Sequence, residues 1–272
     1  MAQWVLDARN AGHSIGFVPT MGALHEGHIS LVNNAMTYCS KVVVSIFVNP
    51  TQFNDPQDLL KYPKTLPGDV EMLLKCPCDL VFVPTVAEIY PTGLYKENWD
   101  LGPGKDVLEG EFRPGHFDGV LTVVSRLFDL VQPDIAFFGE KDFQQQWLIK
   151  KMAESQGKRV KVHSFPTVRE TNGLAMSSRN RRLSPEQREM ATVIHKTLLE
   201  MKRLAGFTPL LEVEKWGNNE LHKPGTVDVE YLRIVKTGNL ESPLENEPNE
   251  QCIALVAAWI GGVRLLDNMT LN

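Results

Sequence analysis

The first 165 residues alternate between short runs rich in β-branched and aromatic residues and longer segments in which apolar residues recur at helical spacing. The strand-like runs lie at 14–19, 41–48, 79–84, 134–139 and 159–165, and the helical segments at 27–39, 66–76, 119–132 and 142–157. Such alternation is typical of βαβ units, which build a mostly parallel sheet covered by helices. The pattern therefore predicts an α/β fold, in which ligands bind beyond the carboxyl ends of the strands.

Three polar fragments come directly after strand-like runs, at the positions where such ligands bind. PTMGALHEGH (19–28) follows the first run, VNPTQF (48–53) ends the second, and FGEKD (138–142) follows a later one. The carboxyl ends of parallel strands share one edge of a sheet. We therefore expect the three fragments to lie close together although they are distant in the sequence.

The pattern changes after about residue 175. A capping box at Ser184 and Gln187 begins a long amphipathic helix that ends at Gly206. Three strand-like runs follow the helix, at 226–235, 252–260 and 263–271. We therefore predict two domains, residues 1–175 with the parallel sheet and residues 176–272 as a smaller α+β domain.

Charge and cysteine content limit the classes of partner. The formal net charge is −5, whereas a protein that binds a nucleic-acid backbone is usually basic. The longest apolar run is too short to span a bilayer, and the N-terminal residues lack the apolar core of a signal peptide. Cys76 and Cys78 have neither redox nor zinc-knuckle spacing. We expect a cytoplasmic protein with reduced thiols and with neither nucleic-acid nor membrane partners.

Two histidines, His25 and His28, stand three residues apart where a strand gives way to a helix. A zinc site is one interpretation, although zincins space their histidines by four and Gly27 interrupts the motif. Plain structural histidines are a second interpretation. The third is phosphate chemistry, because a helix N-terminus attracts anions and imidazoles in its first turn can donate to charge that develops on a phosphate. The spacing favours this third interpretation and leaves the other two open.

Two later segments offer charged or hydroxyl groups. Lys141 is a candidate phosphate clamp, or else a solvated charge at the end of a strand. Asp142 is a candidate ribose ligand, or else only the cap of the next helix. In AMSSRN (175–180), two serines and Arg179 suit a polyphosphate, and the alternative is an ordinary polar linker.

Three neutral amides lie among apolar neighbours, on Asn49, Gln52 and Gln145. An amide offers both donors and acceptors without charge. Inward-pointing amides therefore suit a hydroxyl-rich acid as substrate.

In combination, these motifs identify a family. Six segments resemble the motifs of the pantoate–β-alanine ligases, in the same order and at close to the usual spacings. They are PTMGALHEGH, FVNPTQF, RPGHFDGVLTVV, FGEKDFQQ, PTVRE and GLAMSSRN. The likeness covers about residues 14–190. It implies a Rossmann-like domain with helices on both faces of the sheet, related to class I aminoacyl-tRNA synthetases. HEGH takes the place of their HIGH signature and MSSR that of their mobile KMSKS loop.

The activity that the resemblance implies is the joining of pantoate to β-alanine with ATP and Mg²⁺, through a pantoyl-adenylate, with release of AMP and pyrophosphate. His28 is then the expected proton donor, and His25 and Lys141 stabilise charge on the phosphoryl group. Gln52, Gln145 and Asn49 are the expected substrate-binding residues. The residues expected to bind ATP are Met21, Gly22, Ala23, Leu24, His25, Glu26, Gly27, His28, Gly139, Glu140, Lys141, Asp142, Val168, Met176, Ser177, Ser178 and Arg179.

The resemblance also implies a homodimer. We expect residues 176–272 to act as a lid that carries MSSR over the nucleotide, because a loop that clamps a triphosphate and then releases pyrophosphate must move. The Mg²⁺ ligands stay open between Asp69 and the phosphates of ATP alone.

Three other functions compete with this interpretation. Another nucleotidyltransferase with the same histidine motif, such as a cytidylyltransferase, would not need the two amide-bearing fragments. An aminoacyl-tRNA synthetase would need an anticodon domain and a basic face. A non-catalytic nucleotide-binding module would have no use for both the histidine pair and Lys141.

Overall fold

The computed structural model describes residues 1–223, 225, 227–244 and 250–272. Its contacts divide the chain into two compact units, Met1–Pro166 and Thr167–Asn272. The division falls after residue 166, whereas the sequence pattern placed it after residue 175. The two boundaries differ because of contacts between residues that are distant in the sequence. Arg169 is bonded to Asp267 near the end of the chain and also pairs with Ala175. The segment before Met176 therefore belongs to the C-terminal unit.

The N-terminal unit alternates strands and helices as the sequence predicts, and each predicted element is found within a few residues of its expected bounds. Its elements are α1 (Ala2–Asn10), β1 (Ile15–Thr20), α2 (Glu26–Tyr38), β2 (Lys41–Ile46), α3 (Pro56–Lys61), α4 (Leu66–Leu73), β3 (Leu80–Phe82), α5 (Val86–Ile89), α6 (Glu109–Phe112), α7 (His116–Val131), β4 (Ile135–Gly139), α8 (Phe143–Ser155) and β5 (Lys161–Phe165). Short 3₁₀ turns occur at Pro50–Gln52, Pro103–Lys105 and Glu140–Asp142. The sequence pattern did not predict α1, α3, α5 or α6.

The strands of this unit form one parallel sheet in the order β3-β2-β1-β4-β5. Phe17 of β1 is paired with Val43 of β2 on one side and with Ala136 of β4 on the other. The strand order reverses between β1 and β4, which makes this pair the switch point where α/β sheets bind ligands. The predicted α/β fold with a parallel sheet is confirmed.

Both faces of the sheet are covered, which explains why its strands read as continuous apolar runs. On one face Val18, Val42 and Val44 pack against buried residues of α2 and α4. On the other face, Phe17 and Val43 lie in a core built with α1, α7 and α8. The sheet is therefore buried between helices on both of its faces.

The C-terminal unit combines two helices with an antiparallel sheet in the order β6-β7-β8. Its elements are a 3₁₀ turn (Ser178–Arg182), α9 (Pro185–Ala205), α10 (Leu210–Leu221), β6 (Asp228–Lys236), β7 (Cys252–Ile260) and β8 (Val263–Thr270). The capping box of α9 is confirmed, since the side chains of Ser184 and Gln187 each bond the other's backbone N–H. The first predicted strand began at Thr226, which lies outside the described residues. Within the described part of the chain, no helix is both long and apolar enough to cross a bilayer.

Candidate active site

The turn between β1 and α2 starts with a backbone geometry that only certain residues tolerate. Thr20 Oγ1 donates to the carbonyl of Ser45 at 2.7 Å and accepts from the N–H of Gly22 at 3.2 Å. Gly22 and Ala23 then adopt positive φ values of 77° and 50°. A Cβ on Gly22 would lie 3.0 Å from a carboxylate oxygen of Asp69, so glycine fits both the φ angle and the space.

Asp69, which lies on α4 and is 2% exposed, holds this turn in place. Its carboxylate accepts from the N–H of Leu24 at 2.8 Å, from the N–H of Ala23 at 3.0 Å and from Thr65 Oγ1 at 3.1 Å. Both oxygens are therefore bonded within the protein, which gives Asp69 a structural role in this turn, and its candidacy as a Mg²⁺ ligand stays a prediction. Among the described residues, no group of three or more histidine, cysteine, aspartate or glutamate side chains could hold a metal ion.

Ala23 and Leu24, which are predicted to bind ATP, help to hold this turn together. Their side chains are fully buried, and their N–H groups donate to Asp69. The geometry gives them the role of shaping the turn, and their contact with ATP stays a prediction.

His25 and His28 form a capping box at the start of α2. His25 Nδ1 accepts from the N–H of Gly27, and His28 Nδ1 accepts from the N–H of His25, both at 3.2 Å. The two ring centroids are 4.0 Å apart. A neutral imidazole that accepts at one nitrogen carries its proton on the other. Each neutral ring therefore has its N–H at Nε2, outside the cap.

This arrangement unites two of the three interpretations of the histidine pair. One nitrogen of each ring has a structural task at the helix N-terminus, and the other is a hydrogen-bond donor when the ring is neutral. The positive end of the helix dipole and these two donors occur at the same place, which suits a phosphate. A zinc site would need ring nitrogens with lone pairs, and the cap uses one from each ring.

The amide of Asn49 makes all its hydrogen bonds within the protein. Its Nδ2 donates to Gln52 Oε1 at 3.2 Å and to the carbonyl of Gly119 at 3.0 Å. Its Oδ1 accepts from the N–H and hydroxyl of Thr51 and from the hydroxyl of Tyr90. Asn49 is also 1% exposed. Its expected substrate contact stays a prediction, whereas its contact with the amide of Gln52 is present in the structure.

Gln52 joins the first two fragments. Its Nε2 lies 3.1 Å from Met21 Sδ, so the side chain that follows β2 meets the turn that follows β1. The residue is 9% exposed, and Asn49 fixes its Oε1. The convergence of these two fragments at the carboxyl edge of the sheet is thus confirmed.

The third fragment follows β4, the other strand of the switch point. The side chain of Lys141 is 18% exposed, and its Nζ lies 3.3 Å from Asp142 Oδ1. Asp142 precedes α8 but forms no side-chain cap with it. The charged pair is therefore not explained as a helix cap, and a role toward a ligand stays a prediction for both residues, as it does for Gly139 and Glu140.

Three consecutive glutamines at the start of α8 have different tasks. Gln144 is buried and bonds three backbone groups of the loop 104–109. Gln146 accepts from the hydroxyl of Ser164 on β5 at 2.7 Å. Gln145 is half-buried, and its side chain has no hydrogen-bond partner among the described residues. Of these three consecutive glutamines, Gln145 is the one whose amide is not used in a hydrogen bond to the described residues. This supports its predicted contact with substrate.

In the C-terminal unit, the predicted nucleotide segment is part of a compact turn. The N–H of Met176 donates to the carbonyl of Val168 at 3.0 Å, which pairs two of the predicted ATP contacts. Ser177 Oγ accepts from the N–H of Arg179 at 3.3 Å and so caps the 3₁₀ turn that begins at Ser178. The backbone of the predicted segment is therefore ordered by its own serine.

A polar network that the sequence analysis missed supports this turn. Asn180 Nδ2 donates to Glu170 Oε1 at 2.9 Å and to the carbonyl of Ala175 at 3.0 Å. Arg188 on α9 donates to Glu170 Oε2 at 3.1 Å and to the carbonyl of Asn180 at 3.2 Å. The sequence signal for this network was Asn180, which follows the serine–arginine motif. An asparagine at such a position is normally interpreted as a turn residue, and only the fold shows its distant partners.

Comparison with known proteins shows the family of the chain. A family model described as pantoate-beta-alanine ligase matches residues 1–270. The chain belongs to the pantoate–β-alanine ligase family. Pantothenate synthetase from Christiangramia forsetii is 45% identical over 273 residues, which cover 100% of this chain and 96% of that protein. Pantothenate synthetase from Ruegeria pomeroyi is 45% identical over 265 residues, which cover 97% of this chain and 92% of that protein.

Solved structures of the family show the same fold. A pantothenate synthetase from Thermus thermophilus superposes with a TM-score of 0.91 at 42% identity, and 98% of this chain and 97% of that chain are covered. A pantoate-beta-alanine ligase from Francisella tularensis, complexed with beta-gamma ATP and beta-alanine, superposes with a TM-score of 0.80 at 37% identity over 99% of this chain and 95% of that chain. The family predicted from the motifs is therefore confirmed.

Proposed function

We propose that this chain joins pantoate to β-alanine, with ATP as the second substrate, through a pantoyl-adenylate. Membership of the pantoate–β-alanine ligase family supports this activity. The structural observation that carries it is the histidine capping box, which places two Nε2 donors at a helix N-terminus beside the switch point of the sheet. A donor pair at that place suits a reaction in which charge develops on a phosphate.

The first step needs such donors. A carboxylate does not condense with an amine in water, because its oxygen is a poor leaving group. The pantoate carboxylate therefore attacks the α-phosphorus of ATP, the bond to pyrophosphate breaks, and negative charge builds up on the phosphoryl oxygens and the departing group. His25, His28 and Lys141 supply donors and positive charge for that moment, and His28 is the residue to which we assign proton donation.

The second step depends mainly on positioning. The neutral amine of β-alanine attacks the acyl carbon and loses a proton to water, an amide bond forms, and AMP leaves with the electron pair of the broken anhydride bond. Gln52 and Gln145 offer neutral amides that suit the hydroxyl and carboxylate groups of pantoate. Holding the amine close to the acyl carbon in the correct orientation is the larger part of what this step needs.

The described residues offer no cluster of metal ligands, so we propose that Mg²⁺ arrives with the phosphates of ATP. We also propose a homodimer and a cytoplasmic location. Met176, Ser177, Ser178 and Arg179 are proposed to contact the nucleotide, and residues 176–272 to act as a lid during adenylation.

The activity is tested with purified protein, ATP, Mg²⁺ and pantoate, with β-alanine added last. AMP and pantothenate should appear in equal amounts, and CTP with an alcohol phosphate should give no nucleotide transfer. Product from CTP and none from pantoate would support the cytidylyltransferase alternative.

A matched variant tests the histidine role. In His28→Asn, the amide oxygen can still accept from the N–H of His25, so the cap is retained while the Nε2 donor is lost. We expect thermal stability close to the wild type and adenylation slower by about a hundredfold or more. Adenylation at the wild-type rate would remove His28 from the catalytic residues.

A further inference from the structure

His116, the first residue of α7, is hydrogen-bonded to the backbone of Gln52. It is 5% exposed, and its Nδ1 lies 2.7 Å from the carbonyl oxygen of Gln52. Its Nε2 lies 3.1 Å from Nη1 of Arg113. Neither contact is explained by folding of α7 alone, since both join its first residue to other segments of the chain.

The partners of His116 determine which ring nitrogen carries the proton. A guanidinium can only donate, so Nε2 must accept from Arg113. The carbonyl of Gln52 can only accept, so Nδ1 must carry the proton and donate to it. His116 is therefore the Nδ1–H tautomer, the opposite of the tautomer of His25 and His28, and its single N–H is directed at Gln52.

The turn that carries Gln52 is docked on α7 at two further points. Asn49 Nδ2 donates to the carbonyl of Gly119 at 3.0 Å. A Cβ on Gly119 would lie 2.6 Å from the carbonyl oxygen of Thr51, so the two backbones are in direct contact. The bond from His116 adds a direct contact to the carbonyl of Gln52 itself.

We propose that His116 is a positioning residue for substrate, which acts by fixing the main chain of Gln52 and so the direction of its side-chain amide. This inference rests on the proposed function, because it takes Gln52 to bind pantoate. The side-chain amide of Gln52 contacts Asn49 and Met21, and the Gln52 carbonyl is bonded to His116. Without the bond from His116 to its carbonyl, the peptide group of Gln52 can rotate. The side-chain amide of Gln52 is then no longer oriented toward pantoate.

Two variants isolate this bond. His116→Leu removes both ring contacts. His116→Asn also removes the contact with Arg113, but its amide N–H can replace the Nδ1–H donor toward Gln52. Any difference between the two variants therefore reports the bond to the Gln52 carbonyl and not the loss of the Arg113 contact or of the ring.

We expect His116→Leu to raise the KM for pantoate by about fivefold to tenfold, the equivalent of one neutral hydrogen bond, with the KM for ATP unchanged. His116→Asn should restore the pantoate KM to near the wild-type value. Equal pantoate KM values for the two variants, or a parallel rise in the ATP KM, would overturn the positioning role. A wild type that makes no pantothenate would instead overturn the proposed function, and this inference with it.

A measurement independent of activity tests the tautomer. Nitrogen-15 spectra of the imidazole groups should show protonated Nδ1 for His116 and protonated Nε2 for His25 and His28 when the rings are neutral. A protonated Nε2 on neutral His116 would contradict the bond to Gln52 whatever the kinetics.

Discussion

Removing the carboxylate of Asp69 should damage the site without touching any substrate. The side chain is 2% exposed and accepts two backbone N–H bonds and one hydroxyl bond. Asp69→Ala leaves the N–H groups of Ala23 and Leu24 buried without an acceptor, at about 1–3 kcal/mol each. Because relaxation and water entry recover part of this, we expect the free energy of unfolding to fall by about 2–4 kcal/mol.

Asp69→Asn is the subtler change. The amide keeps one acceptor oxygen but sets its NH₂ against the second backbone N–H, donor against donor. We expect a loss of about 2–3 kcal/mol, since a hydrogen bond to a charged group contributes about 1.5–3 kcal/mol. The turn leads directly into the histidine cap, so kcat for adenylation should also fall even where the variant remains folded.

Urea unfolding in metal-free buffer, combined with adenylation rates at increasing Mg²⁺, tests this reasoning. Asp100→Asn changes an exposed carboxylate and serves as the control, with stability within about 0.5 kcal/mol of the wild type. If Asp69 were instead a Mg²⁺ ligand, its variants would be as stable as the wild type without metal and would regain activity at high Mg²⁺. That result would refute the anchoring role.

Three other groups yield predictions. Ser45 Oγ is fully buried with no partner among the described residues, so Ser45→Ala should raise the free energy of unfolding by about 1 kcal/mol, whereas Ser125→Ala, which removes a bonded hydroxyl, should lower it; equal urea midpoints would contradict this. Burial, and then the charge of Arg169, lower the pKa of His195 from 6.5, so the unfolded chain binds more protons and stability should fall as the pH drops below about 6.5. His195→Gln should flatten that part of a stability–pH profile, and an unchanged slope would argue against it. Burial raises the pKa of Cys78 to about 11, so iodoacetamide at about pH 8 should label Cys78 slowly until urea is added, and rapid native labelling would contradict the burial.

Local patterns in the sequence predicted the architecture well. Strands such as Lys41–Ile46 are buried on both faces and read as continuous apolar runs, and α9 begins with an ordinary capping box. The short helices α3, α5 and α6 were missed because four to six residues are too few for a helical period to be recognised.

The missed parts of the site depend on contacts between distant residues. Asp69 lies 46 positions from Ala23, and His116 lies 64 positions from Gln52. A carboxylate or an imidazole in such a place has no local signature until the fold brings its partner to it. The histidine cap was within reach, since His25 and His28 have the same i, i+3 spacing as a capping box, but the rule is usually applied to serine, threonine and glutamate.

Pyrophosphate–ATP isotope exchange tests the proposed chemistry most directly. Labelled pyrophosphate is incubated with the protein, ATP and Mg²⁺, with pantoate present and β-alanine absent. A pantoyl-adenylate intermediate predicts that label enters ATP under these conditions and that it does not when pantoate is omitted. Exchange that requires β-alanine, in a protein that still makes pantothenate, would contradict the adenylate and with it the role assigned to the two histidines.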